Sequence, residues 1–247
     1  MIRAIVLDIE GTTSPTDSVR TDLYGYTEQH LPQWLADNAA GAAESVIAQT
    51  RELADEPTAD TARIADILTG WLRSDVKAEP LKAAQGAICA EGFRAGELHG
   101  RFFDDVVPAL RTWHAEGLPL YIYSSGSERN QRDWFTYAAP GNLAPLITAH
   151  FDLVTAGPKR DPKSYALIAD RIAVPPEQIL FLSDHPDELD AAVTAGWQVV
   201  GVRRPDEPNP ARPPHHWVST FADIEVTNTA HRPSRARSQS SDPRTPR

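Results

Sequence analysis

Apolar positions along the chain follow two different rhythms. Residues 2–8, IRAIVLD, form a short continuous apolar run that breaks at a turn, the pattern of a buried strand. The same pattern returns later. LPLYIYSSGS is a strand running into a polar turn. HFDLVTA (150–156), QILFLSD (178–184) and WQVVGVRR (197–204) complete the set. Between these runs the period lengthens to that of a helix: Val106 to Glu116, closed by Gly117; Glu128 to Tyr137; Ser164 to Ile172; and Glu188 to Ala195, closed by Gly196. Strands alternating with helices at this spacing predict βαβ units and a parallel sheet.

Residues 17–100 break that alternation. They are rich in Ala, Glu, Leu and Gln and poor in strand formers. Ile64, Ile67, Leu68, Trp71 and Leu72 fall on one stripe of an amphipathic helix. A second helix covers about 80–98, with Leu81, Ala84, Ile88 and Cys89 on one side, and further helices are expected near 23–38 and 42–54. The fold class expected is therefore α/β: a doubly wound, mainly parallel sheet with an inserted helical domain. Residues 1–16 and 101–226 would form the α/β core and 17–100 the insertion. Residues 227–247 have five Arg against one Asp, with Ser and Pro throughout. With almost nothing apolar to bury, they are expected to be a disordered basic tail.

Charge narrows the possible partners. The chain of 247 residues has 24 Lys and Arg against 34 Asp and Glu, a net charge of −10. An acidic body argues against nucleic acid, whose phosphates demand basic residues. A small phosphorylated substrate is not excluded, because a metal can supply local positive charge. The single cysteine, Cys89, permits no intrachain disulfide and suits a reducing compartment. IRAIVLD is too short for a signal peptide, and no stretch approaches the roughly 20 apolar residues of a membrane span. These features lead to the expectation of a cytoplasmic protein without a membrane partner. No exposed apolar stripe is evident, which points to a monomer.

The chemistry is concentrated where strands end. Asp8 and Glu10 follow the first strand in LDIEGTT. Ser124 and Ser125 follow the LYIY strand, Lys159 lies in GPK after the 150–156 strand, and Asp184 closes LFLSD. In an open parallel sheet the carboxyl ends of the strands line one crevice. Asp8 and Asp184 are hard oxygen ligands of the kind Mg²⁺ prefers, and the metal would relieve the crowding of the acids. One carboxylate can attack phosphorus while another protonates the leaving oxygen. Lys163 lies four residues after Lys159, and either could reach the site from a loop. Glu188 is either a partner of Asp184 or of its metal-bound water, or an acid in the first turn of the following helix. His185, a nitrogen donor, is a poor Mg²⁺ ligand. His215 and His216, before Trp217 in a Pro-rich loop, are expected at the surface, and Cys89 in the core.

DIEGTT, YSSGS, GPK and FLSD together resemble the four motifs of the haloacid-dehalogenase-like phosphatases. Glu10, in place of the usual second Asp, narrows the resemblance to the enolase-phosphatases (acireductone synthases) of methionine salvage. RFFDDVVPALRTWHAEGLPLYIYSSGS (101–127), LKAAQG (81–86) and SYALIADRI (164–172) are similar to that family too. The resemblance implies Asp8 as nucleophile and Mg²⁺ ligand, and Glu10 as general acid/base that also contacts the metal. It implies Ser124 and Ser125 on the substrate phosphate, Lys159 in the lysine role, and Asp184 completing the metal shell. GxK spacing favours Lys159 over Lys163. The insertion would be a cap that selects substrate, where Trp34, Trp71, Tyr24 or Phe93 could touch a thioether. The implied reaction is enolisation of a 2,3-diketo-5-methylthiopentyl 1-phosphate, then dephosphorylation to an acireductone. A different small-metabolite phosphatase or phosphomutase of the same superfamily is the alternative.

Overall fold

The computed structural model describes residues 1–226. The expected basic tail at 227–247 lies outside them. Six parallel strands form one sheet: β1 (Ala4–Leu7), β2 (Leu120–Tyr123), β3 (Ile147–Phe151), β4 (Ile179–Ser183), β5 (Gln198–Val202) and β6 (Trp217–Val218). Their spatial order is β3-β2-β1-β4-β5-β6. The chain first builds outward from β1 on one side, then returns to β4 on the other. That reversal creates a crevice at the carboxyl ends of β1, β2 and β4.

Strand alternation explains the layers. On β1, Ile5 and Leu7 join Leu120, Ile122, Leu180 and Leu182 in one core, while Ala4 and Val6 join Tyr121, Tyr123, Ile179 and Phe181 in another. Both faces of the central strands β1, β2 and β4 are buried, so these read as nearly continuous apolar runs. The first face is covered by α6 (Val106–Ala115) and α7 (Glu128–Thr136) through Leu110, Trp113, Trp134 and Phe135. The second is covered by α8 (Pro162–Ile172) and α9 (Pro186–Thr194) through Tyr165, Ile168 and Leu189.

Between β1 and β2 the chain is helical: α1 (Thr16–Val19), a π-helical turn over Arg20–Tyr24, then α2 (Gly25–Asn38), α3 (Glu44–Leu53), α4 (Thr61–Arg73) and α5 (Glu79–Ala95). The predicted stripe of α4 is buried at Ile64, Ile67, Leu68 and Leu72 against Leu31, Leu35 and Ile88, in a core separate from the sheet's. Local chemistry sets the ends. Asp60 accepts from the Arg63 amide to cap α4, and Gly96, at φ +74°, closes α5 in a conformation that costs other residues more. Phe93 of α5 meets Trp134 edge-on, which seats the insertion on the sheet layer. No described helix is long and apolar enough to cross a membrane.

Three sequence expectations shift. β3 spans Ile147–Phe151 rather than 150–156, because Asp152 accepts from the Val154 and Thr155 amides and turns the chain. β6, too short to show a period, was not anticipated. His216 is exposed, but His215 turns its ring to Asp190, with Nε2 at 2.7 Å. Cys89 is in the core as expected.

Phe181, fully buried in β4, packs edge-on against Tyr165 and Trp197. Phe181→Ala should cost about 3–5 kcal/mol, read as a lowered urea midpoint with an unchanged denaturant slope.

Candidate active site

After Leu7 the chain leaves β1 in a tight turn. The amides of Thr12, Thr13 and Ser14 all donate to the Ile9 carbonyl, and the Thr13 hydroxyl donates to the Asp8 carbonyl at 3.0 Å. Gly11 sits at φ +70°, and a Cβ there would lie 2.3 Å from Oδ2 of Asp184. The β1 turn and the end of β4 therefore touch, backbone against carboxylate. The contact is also tied by hydrogen bonding: the Asp184 amide donates to Thr12 Oγ1 at 2.9 Å.

Lys159 reaches this point from the loop after β3. Gly157, at φ +103°, turns the loop, and three hydroxyls hold it by donating to its carbonyls: Tyr123 to Gly157, Ser164 to Pro158, and Tyr165 to Lys159. Nζ of Lys159 lies 2.5 Å from Oδ1 of Asp8 and 2.7 Å from Oε2 of Glu188. Lys163 stands exposed in the first turn of α8. Glu188 therefore has a role that sequence reasoning missed. It is buried in the first turn of α9, accepts from Ser183 Oγ at 2.8 Å and shares the ammonium with Asp8.

An opening of about 290 Å³ is lined by Asp8, Glu10, Ser124, Ser125, Lys159 and Asp184. All six candidates named from the sequence meet there, together with Arg20, Arg160, His185, Glu188 and Asn209. Burial pushes the Asp8 carboxyl up to about 6, against the pull of Lys159. Burial, then the charge of Asp8, pushes Asp184 up to about 7. Glu10 is raised for the same two reasons. Burial opposes the charge on Lys159, but Asp8 and Glu188 outweigh it and hold the ammonium above the ordinary lysine value.

This is a site with too much negative charge for one lysine, and that is the condition a divalent cation relieves. Among the described residues, no three His, Cys, Asp or Glu side chains gather tightly enough to cage a metal alone. Mg²⁺ does not need such a cage, since it uses one or two carboxylates and completes its shell with water and substrate oxygens. Asp8 and Asp184 fit that demand. His185 is occupied otherwise: Nδ1 accepts from the Asp187 amide and Nε2 faces Arg160 at 2.9 Å.

Supporting residues came from outside the motifs. Gln131 of α7 donates to the carbonyls of Ser124, Gly126 and Phe151, which fixes the serine loop. Arg204, buried, donates to the Thr12 carbonyl and both oxygens of Asp105, bracing the β1 turn. Asn209 donates to Oδ2 of Asp184 at 2.7 Å from a Pro-rich loop. None of the three carries a local sequence signal. Of the aromatics proposed for a thioether, Tyr24 lines a neighbouring cavity, whereas Trp34 belongs to the helical core and Trp71 packs against it. Phe93 is buried in the sheet core beside Trp134.

A family model for haloacid dehalogenase-like hydrolases matches residues 2–196. A protein of Nocardia farcinica described as Enolase-phosphatase E1 is 63% identical over 229 residues, 93% of this chain and 99% of that protein. One of the same description from Streptomyces avermitilis is 50% identical, covering 84% of this chain and 87% of its own. The chain belongs to the enolase-phosphatases, within the haloacid dehalogenase-like hydrolases. Among solved structures, this enolase-phosphatase is similar to the UTR4 protein of Saccharomyces cerevisiae. It is 26% identical with a TM-score of 0.77, covering 91% of this chain and all of that one. CbbY of Rhodobacter sphaeroides, 20% identical with a TM-score of 0.57 over 90% of this chain and 96% of its own, shares the fold.

Gly11→Ala forces a side chain into the Asp184 carboxylate from a left-handed backbone position. It should destabilise the protein by about 1–3 kcal/mol and lower kcat by about 10²-fold, since roughly 1 Å of displacement suffices for that loss. Thermal unfolding and steady-state kinetics check both.

Proposed function

We propose that this enolase-phosphatase enolises 2,3-diketo-5-methylthiopentyl 1-phosphate and then removes its phosphate with Mg²⁺, yielding an acireductone in methionine salvage. The observation that carries the reading is the buried Asp8–Lys159–Glu188 arrangement, with Asp184, Glu10 and two serines opening onto the same space.

In this reading Asp8 is the nucleophile. Its carboxylate oxygen forms a bond to phosphorus as the bond to the substrate oxygen breaks, leaving an aspartyl-phosphate. Glu10, two residues along the turn, gives its proton to the departing oxygen. It then takes one from the water that attacks the phosphoenzyme and frees Asp8. The raised pKa of Glu10 suits a group that must be protonated at the first step. Ser124 and Ser125 hold phosphate oxygens, and Gln131 keeps their loop in register. Lys159 balances charge on the phosphate and on Asp8, while Glu188 aims the ammonium from behind. Asp8, Asp184 and the Glu10 carbonyl would hold the Mg²⁺, which supplies charge that keeps Asp8 ionised and polarises substrate oxygens. The helices of residues 17–100 act as the cap over this space, and the protein works as a cytoplasmic monomer.

Asp8→Asn should abolish phosphate release, and Glu10→Gln should slow it by about 10²–10⁴-fold. Both are read as inorganic phosphate from the diketo phosphate, and an unchanged rate in either variant removes the role assigned to that residue. EDTA should stop hydrolysis of phenyl phosphate and excess Mg²⁺ should restore it; activity that survives EDTA overturns the metal assignment. Turnover of sugar phosphates with none of the diketo phosphate would overturn the substrate.

A further inference from the structure

A second cavity, of about 60 Å³, opens beside the carboxylate site and shares Glu10 and Ser125 with it. Its wall includes Lys82 and Gln85 of α5 and Asn130 of α7. A smaller hollow of about 30 Å³ adjoins it through Val19, Leu23 and Asn130, and is floored by Ile9 and Trp134. At about 10–15 Å³ per water-sized group, the two hold a short chain of roughly half a dozen heavy atoms.

Asn130 carries an unpaid requirement here. The residue is 7% exposed, yet its Oδ1 has no hydrogen-bond partner among the described residues. Buried acceptors are almost always paired, so an orphan in a cavity wall marks a place for a donor. Gly86 of α5 faces that oxygen across the wall, at a distance where a Cβ would make only ordinary contact, 3.8 Å. Lys77, on the same wall, is occupied by Asp75 at 2.6 Å and by the Tyr24 hydroxyl. Lys82 has no ion pair among the described residues. The indole N–H of Trp134 donates to Ser14 Oγ, which leaves its ring as an apolar, polarisable surface.

Resting on the function proposed above, we propose that this cavity binds the unphosphorylated end of the substrate and that Asn130 recognises its enolised form. A diketone presents only acceptors, which suits Lys82 and Gln85. Enolisation turns one ketone into a hydroxyl, the donor that Oδ1 of Asn130 lacks. The Asn130 contact is then made by the enol and not by the diketone, so it favours the first step rather than binding alone. The alkyl thioether end lies along Val19, Leu23 and Trp134, where sulfur–aromatic contact is favourable.

The test compares kcat/KM on the diketo phosphate with kcat/KM on phenyl phosphate in wild type, Asn130→Leu and Lys82→Met. The ratio should fall about 10-fold in each variant, the size of one lost hydrogen bond or charge contact, and for Asn130→Leu the fall should lie mainly in kcat. Replacing the substrate sulfur and its methyl by hydrogen should lower the wild-type ratio as well. Ratios unchanged in both variants overturn the cavity assignment while leaving the phosphatase reading intact. An Asn130→Leu loss confined to KM overturns enol recognition. Wild-type protein that hydrolyses phenyl phosphate but never the diketo phosphate overturns the underlying reading instead. Lys82 is only half-buried, so its variant keeps the test open if Asn130→Leu fails to fold.

Discussion

Lys159 places a single positive charge among buried acids, and most of the site's geometry follows from that. Its ammonium is shared by Asp8 at the end of β1 and Glu188 at the start of α9, on either side of one crevice. An ion pair this deep loses much hydration, so both partners must stay close and well aligned. The three hydroxyls that grip the Gly157–Lys159 loop perform that alignment. They come from β2 and α8, so the chemistry is anchored in the sheet and in the helix packed on it.

The same crowding explains the unusual state of the acids. Asp8, Glu10 and Asp184 all resist ionisation because they are buried, and Asp8's charge further raises the other two. The site is held in a condition that a divalent cation would relieve. The protein keeps it by other contacts: the Gly11 turn pressed on Asp184, the Thr12 hydroxyl, and the brace from Arg204. Arg204 in turn is fixed by Asp105 and by Phe103 and Phe221 against its guanidinium.

The insertion divides the labour differently. Its helices bury most of their apolar stripe in a core of their own, while Val19, Leu23, Cys89 and Phe93 join the core of the sheet. From the insertion, the α1 region with the π-helical turn after it, Lys77 in the loop before α5 and one side of α5 contribute to cavities beside the acids. The acids and the lysine thus follow strand ends, while helices of the insertion wall part of the neighbouring cavities.

Reading the chain alone recovered the parallel sheet, the helical insertion and the residues that meet at the crevice. Those features are local: strand runs, helix stripes, and reactive side chains that each follow a strand within a few positions. The 150–156 strand was displaced because Asp152 ends β3 through bonds to amides two and three residues ahead, which apolar pattern does not register. What only the tertiary structure decided was pairing across distance. Lys159 rather than Lys163 reaches Asp8, Glu188 serves the lysine, Gln131 orders the serine loop, and Asn130 faces a cavity without a partner. Each of these depends on which helix packs on which strand, and hydrogen bonds between elements leave no periodic trace in the order of residues.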